Sequence, residues 1–173
     1  MTDEANQPAG ESQASREPRT LLLFKAGARL FCLFADEAYN AVEWREPAPL
    51  PSAPQAVLGV VSLRGRMFTL LDTRALFAPE GAEAEDESHA IQVSNRFIIP
   101  LRGDEQLALT ADDAPRAVEI FLDQLGPPPA EESFGSAARS VFKGEDEETR
   151  LLLDPSRLFA LAMRGAERRR RRF

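Results

Sequence analysis

Two short patterns in the first half of the chain return in the same order in the second half. The pattern Ala-Asp-acid-Ala followed by Ala-Val-Glu occupies residues 35–43 and recurs at 111–119, an offset of 76. The pattern Leu-Leu-Asp followed by Leu-Phe-Ala occupies residues 70–78 and recurs at 152–160, an offset of 82. Short matches between common residues arise by chance, but two in the same order at compatible offsets indicate a duplicated unit.

Each copy consists of short apolar runs separated by glycine, proline and charged residues, a pattern typical of β-strands. The predicted strands lie at 21–24, 30–34, 39–44, 57–63, 67–71, 97–101, 106–110, 117–122 and 151–153. About five short strands per copy are enough for a sheet to curl into a small barrel filled by its own side chains. The sequence therefore predicts an all-β fold of two pseudo-equivalent, five-stranded barrels.

A short helix is predicted after the last strand. Asp154 is a typical N-cap residue, and proline is favoured at the first helical position, which Pro155 would occupy. The helix is expected to end near Met163. Its predicted apolar face comprises Leu158, Phe159, Leu161 and Ala162.

Composition divides the chain into segments. Residues 1–19 have almost no large apolar side chains and are expected to form a disordered leader. The two halves of the repeat then span residues 20–78 and 91–162. Between them, residues 79–90 are rich in acids and are predicted to be a solvated linker. Residues 163–173 form an arginine-rich tail.

Charge is distributed unevenly along the chain, whose formal net charge is −7. Residues 164–172 carry six arginines against one glutamate, which leaves an excess of twelve negative charges on the rest. An acidic body argues against a nucleic-acid-binding core, because phosphate recognition needs a clustered basic face. For the tail two interpretations stay open: a solvated tail, or electrostatic binding to acidic protein, lipid or nucleic acid.

The sequence predicts a cytoplasmic protein. Cys32 is the sole cysteine, so no internal disulfide can form, and a reducing compartment fits best. The first residues are acidic and polar, unlike a secretory signal. No apolar run reaches the roughly 18 residues that a membrane-spanning helix requires.

The residue types that catalysis needs are sparse, and we expect no enzyme, no cofactor and no metal. One cysteine and one histidine, Cys32 and His89, cannot form a four-ligand zinc site. A nucleophilic pair of the two is formally possible, but Cys32 lies in an apolar strand and is expected to be an inert core thiol. The acidic pairs at 36–37 and 112–113 could serve acid–base chemistry, but their recurrence favours connections between strands.

The segment Val57 to Arg74 carries a recognisable signature. It contains Gly-Val-Val-Ser-Leu-Arg-Gly at 59–65, followed by an apolar strand that ends in Asp-Thr-Arg at 72–74. This closely resembles the CheW family, in which a Gly-Val-x-Asn-Leu-Arg-Gly run leads into a strand ending in Asp-Leu-Arg. The resemblance extends over residues 20 to about 162 and includes the internal duplication and a proline-rich crossover between strands at residues 47–54.

The resemblance implies two SH3-like barrels and a bacterial adaptor of chemotaxis-type, two-component signal transduction. Such an adaptor couples methyl-accepting chemotaxis receptors to a CheA-type histidine kinase and has no catalytic activity of its own. It implies no small-molecule substrate and a cytoplasmic location at receptor arrays on the inner membrane.

The resemblance also predicts a partner-binding set: Arg64, Glu43, Leu63, Gly65 and Val42. Arg64 matches the family's invariant arginine, and Glu43 falls where its ion-pair partner would stand. A carboxylate on a neighbouring strand could orient such a guanidinium. The alternative is an ordinary exposed pair worth less than about 1 kcal/mol.

Four positions depart from the family pattern. Ser62 and Thr69 replace the usual Asn and Pro, and Ala38 and Ala114 stand where larger aliphatic residues are common. The expected fold tolerates these changes, but they leave the identity of the partner open. The rival hypothesis is a divergent CheW-like protein whose arginine-rich tail binds nucleic acid or an anionic surface. A third, a hydrolase or redox protein, would require a reactive Cys32.

Overall fold

The computed structural model describes residues 17–78, 97–130 and 137–170, and in the last helix it describes side chains as far as Arg164. The strands in these residues are β1 (Pro18–Ala26), β2 (Arg29–Phe34), β3 (Val42–Glu43), β4 (Val57–Leu63), β5 (Arg66–Leu71), β6 (Phe97–Pro100), β7 (Leu107–Ala111), β8 (Arg116–Phe121), β9 (Leu125–Gly126), β10 (Ala138–Lys143) and β11 (Thr149–Leu153). The α-helices are α1 (Thr73–Leu76) and α2 (Pro155–Arg170).

The strands form two curled sheets. The first has the order β8-β1-β2-β11-β10-β9, and the second has the order β3-β6-β7-β5-β4. Neighbouring strands are antiparallel except at β2–β11 and β5–β7, which are parallel. The predicted all-β class, with two small barrel-like sheets and a C-terminal helix, is confirmed.

The register of these two parallel pairs shows the internal repeat directly. In the second sheet Leu70 lies opposite Ala108, and in the first sheet Leu152 lies opposite Cys32. Leu70 and Leu152 are related by the offset of 82, and Cys32 and Ala108 by the offset of 76. The two copies therefore make the same contact, which supports duplication over chance similarity.

The copies do not each form a separate barrel, which corrects the simplest interpretation of the repeat. The β1–β2 hairpin of the first copy pairs with β8 and β11 of the second. In turn, the β6–β7 hairpin of the second copy pairs with β3 and β5 of the first. Each copy thus contributes its first hairpin to the sheet that the other copy completes, and neither sheet is contiguous in sequence.

The largest buried cluster draws on residues from both copies. In this cluster Phe31 of the first copy is fully buried together with Leu109 and Leu153 of the second. A buried hydrogen bond also joins the copies, because the Thr73 hydroxyl donates to the Thr110 carbonyl oxygen at 2.7 Å. This shared core explains how short strands, marginal alone, become stable together.

Several predicted boundaries change. The first strand begins at Pro18, inside the expected leader, because Pro18 and Arg19 lie opposite Phe121 and Ile120 of β8. Residues 1–16 and the expected acidic linker at 79–90 lie outside the described residues. Strand β10 was missed because its sequence, Ala-Arg-Ser-Val-Phe-Lys, has no continuous apolar run.

The C-terminal helix is longer than predicted. Asp154 caps it as expected, since its carboxylate accepts from the Ser156 backbone N–H at 3.1 Å. The helix nevertheless continues to Arg170 and includes most of the segment expected to be a tail. Of the predicted apolar face, Leu158 and Ala162 are buried, whereas Phe159 is exposed.

Candidate partner-binding site

The loop between β4 and β5 is a two-residue turn with an unusual backbone. Arg64 has a φ of +48° and Gly65 a φ of +77°. Positive φ at both central residues is the type I′ geometry that suits the twist of a β-hairpin. Glycine adopts it easily, but an arginine pays roughly 1 kcal/mol or more for the left-handed region. A strained, exposed residue of this kind points to a role other than stability.

Arg64 stands at the mouth of a cleft of about 190 Å³. The cleft lies where the curled second sheet brings its two edge strands, β3 and β4, toward each other. Its lining residues come from both edges and from the strands between them: Tyr39, Asn40, Val42, Leu63, Arg64, Arg66, Phe68 and Pro100. The structure therefore brings together three of the five predicted site residues.

Tyr39 also lines this cleft and was not among the predicted site residues. Its hydroxyl accepts a hydrogen bond from Arg66 Nη1 at 2.7 Å. The Arg102 guanidinium lies 4.4 Å from the ring centroid, and the Phe68 ring packs edge-on at 6.4 Å. Cation–π and aromatic contacts of this kind fix the orientation of the ring.

The cleft is apolar at its floor and basic at its rim. Leu63 and Phe68, which form the floor, are buried, and Arg64 and Arg66, which form the rim, are exposed. None of the described residues that line the cleft is acidic. On a chain with a large acidic excess, this arrangement fits a partner that presents an apolar side chain beside a carboxylate.

The predicted ion pair between Glu43 and Arg64 is absent. Val42 lines the cleft, and Glu43, the next residue of β3, points to the other face because side chains alternate along a strand. Strands β3 and β4 are opposite edges of the sheet and are not hydrogen-bonded to each other. Within the described residues, Arg64 makes no ion pair or side-chain hydrogen bond.

The first sheet has an equivalent cleft with different chemistry. This cleft of about 420 Å³ includes Val118, the counterpart of Val42, and Arg150, the counterpart of Phe68. Arg150 is buried, and its Nη2 donates to Asp146 Oδ2 at 2.6 Å. A charged pair thus occupies the place where the first cleft has an aromatic ring, so the two clefts are not interchangeable.

The Asp146–Arg150 pair should make stability depend on acid pH. The Arg150 hydrogen bond lowers the pKa of Asp146 from 3.8 to about 2. As the pH falls, the Asp146 carboxylate therefore becomes protonated at a higher pH in the unfolded chain than in the folded one. The contribution of the pair should be complete above about pH 4 and lost toward pH 2.

Urea unfolding of the wild type and of Asp146→Asn from pH 7 to pH 2 measures this effect. The wild type should be more stable above pH 4, and the difference should vanish near pH 2. A difference that is constant over the whole range would contradict the assignment.

The acids that recur in the repeat have structural partners. The Asp112 carboxylate accepts from the Gly27 backbone N–H at 2.8 Å and from Arg74 Nη2 at 3.0 Å. Asp36 pairs with Arg19 at 3.1 Å. These contacts join the ends of strands to other segments, which supports the interpretation of the acids as connections.

Cys32 is fully buried, and burial raises the pKa of its thiol to about 12. Such a thiol is neutral and shielded at ordinary pH, as expected for an inert core residue. His89 lies outside the described residues. In the described part of the chain, no cluster of three or more His, Cys, Asp or Glu residues is arranged to hold a metal ion.

None of the helices that the structure describes is both long and apolar enough to cross a membrane.

Comparison with known proteins identifies the class of this two-sheet scaffold. The model of the CheW-like domain matches residues 20–163, and the chain belongs to that family. CheW family members are scaffolding and adaptor proteins of chemotaxis signalling and are not enzymes.

Two relatives illustrate the range of similarity. A chemotaxis protein CheW from Rhizobium meliloti (strain 1021) is 34% identical over 65 residues. That match spans 38% of this chain and 42% of the relative, which is less than half of either protein. The crystal structure of the scaffolding protein TtCheW from Thermoanaerobacter tengcongensis superposes with a TM-score of 0.67 at 18% identity. The superposition covers 83% of this chain and 93% of TtCheW, and it shows that the two proteins share a fold.

Proposed function

We propose that this chain is a coupling adaptor that joins methyl-accepting chemotaxis receptors to a CheA-type histidine kinase. Membership of the CheW-like family over most of the chain supports this function. The names of the two relatives, a chemotaxis protein and a scaffolding protein, point the same way. On this proposal the chain works in the cytoplasm at receptor arrays on the inner membrane.

The observation that carries the proposed site is the cleft beside the Arg64 turn. Its apolar floor offers buried area to an inserted side chain, and its arginine rim offers hydrogen bonds to a carboxylate. We propose that Arg64, Val42 and Leu63 contact the partner from within the cleft. Gly65 would sit at the turn, where the space around its Cα is open, and Glu43 would contact the partner on the other face of β3.

The sharpest variant for testing this site is Arg64→Asn. Asparagine tolerates the left-handed conformation better than most residues, so the turn should be preserved while the guanidinium is removed. The free energy of unfolding should stay within about 0.5 kcal/mol of the wild-type value. A change in binding can then be assigned to the side chain and not to the hairpin.

Calorimetric titration against the regulatory domain of a CheA-type kinase from the same organism tests the proposal. We expect wild-type binding in the micromolar range and a loss of about tenfold or more for Arg64→Asn, the cost of a charge-assisted hydrogen bond. Arg116→Asn, which removes an exposed arginine from the other sheet, is the matched control and should bind like the wild type. No binding by the wild type would contradict the kinase partner, and equal binding by both variants would contradict the site.

A further inference from the structure

Helix α2 presents an apolar stripe to solvent. Leu158 and Ala162 pack into the core, but Phe159 is 43% exposed and Met163 is 41% exposed. The two exposed residues are four positions apart and therefore lie on one stripe of the helix. Ala160 and Arg164, also exposed, flank this stripe. An exposed pair of large apolar side chains on one helix marks a candidate contact surface.

The same helix continues into the basic part of the sequence. Among the side chains that the structure describes in this helix, that of Ala162 is the last buried one, and the helical backbone runs on to Arg170, about two further turns. Six of the residues from 164 to 172 are arginine. Cations near a helix C-terminus complement its dipole, but this effect fades within the last turn and does not account for a run of this length.

We propose that α2 is an interfacial helix that binds anionic phospholipid bilayers. Phe159 and Met163 would enter the boundary between headgroups and acyl chains, and the arginines would contact the lipid phosphates. Basic amphipathic helices bind membranes through this combination of apolar insertion and electrostatic attraction. The acidic excess elsewhere on the chain would keep the body away from the surface, so that the helix alone makes the contact.

The exposed apolar pair favours lipid over nucleic acid as the occupant. Nucleic-acid phosphates would also attract the arginines, and that attraction would be equally sensitive to salt. Binding to a nucleic-acid phosphate backbone, however, would not bury the apolar side chains of Phe159 and Met163. A membrane interface buries apolar groups and pairs cations in the same contact, which matches both features of α2.

Co-sedimentation of the full chain with lipid vesicles tests the proposal. Vesicles of phosphatidylcholine alone should retain little protein, and vesicles containing about one-third phosphatidylglycerol should bind on the order of 100-fold more tightly. Replacing Arg168, Arg169, Arg170 and Arg171 by glutamine should remove most of that preference. Raising the salt concentration from about 0.05 M to about 0.5 M should also weaken binding strongly.

The apolar part of the contact has its own variant and control. Phe159→Ser combined with Met163→Ser should weaken binding to anionic vesicles at least tenfold, with no change in the circular dichroism spectrum, because both side chains are already exposed. Met67→Ser removes a side chain that is 54% exposed on a strand and should have no effect. Three results would overturn the proposal. They are equal affinity of the wild type for neutral and anionic vesicles, no binding of the wild type to either, and an affinity of the double serine variant for anionic vesicles equal to that of the wild type. Displacement from vesicles by duplex DNA, with binding to DNA independent of Phe159, would assign α2 to nucleic acid instead.

Discussion

Separate expression of residues 1–78 and residues 79–173 is expected to give two unfolded chains. The first fragment contains both strands of the β1–β2 and β4–β5 hairpins, but it lacks β6, the strand with which β3 pairs. The fragment contains parts of two sheets and completes neither. Isolated hairpins are marginal in water, so we expect little cooperative structure.

Mixing the two fragments should restore the fold. The parallel contacts β2–β11 and β5–β7 both join the first copy to the second, and so does the buried cluster that contains Phe31 of the first copy and Leu109 of the second. We expect near-ultraviolet circular dichroism and dispersed amide resonances only in the equimolar mixture. A cooperative unfolding transition in either fragment alone would show that one copy folds independently and would contradict the exchanged arrangement of strands.

Gly59→Ala should lower the free energy of unfolding by about 3 kcal/mol or more, or roughly 10 °C in Tm. Gly59 has a φ of +144°, where side-chain-bearing residues are strained. A Cβ at this position would lie 2.2 Å from the Ala48 carbonyl oxygen. Because Ala48 also forms two backbone hydrogen bonds of 2.8 Å with Val60, the segment that contains Ala48 cannot move aside without losing them.

Comparison with Gly103→Ala separates backbone strain from steric clash as causes of the stability lost in Gly59→Ala. Gly103 has a comparable φ of +133°, but a Cβ there would meet no atom within 4 Å. Its substitution should cost only the backbone strain, about 1–2 kcal/mol. Chemical denaturation of both variants measures the difference. Equal losses would mean that the close approach of Ala48 to Gly59 contributes nothing.

The fold was predictable to the extent that local patterns determine it. Alternation and turn residues located most strands, and the repeat gave the number of sheets. The local patterns and the repeat did not indicate that the hairpins exchange between copies. Strand partners far apart in sequence are determined by packing and not by local pattern. Strand β10 was missed for a related reason: Arg139 lies over the Phe34 ring and covers apolar surface with a charged residue.

The sequence marked some of the residues that line the cleft and missed others. Arg64, Leu63 and Val42 do line one cleft, but Tyr39 and Arg102 were missed because their contact depends on the curl of the sheet. Glu43 was placed wrongly as a partner of Arg64, since sequence alone does not show that β3 and β4 are opposite edges. The helix ran past its predicted end because arginine is a good helix former.

The proposed coupling of two partners by this chain is tested most directly by joint assembly. Analytical ultracentrifugation of a chemoreceptor signalling domain and a CheA-type kinase from the same organism should show a common complex only when this chain is added. Arg64→Asn should reduce the amount of complex, and Arg116→Asn should not. A receptor–kinase complex that forms equally well without the chain, or binding of the chain to neither partner, would contradict the coupling function.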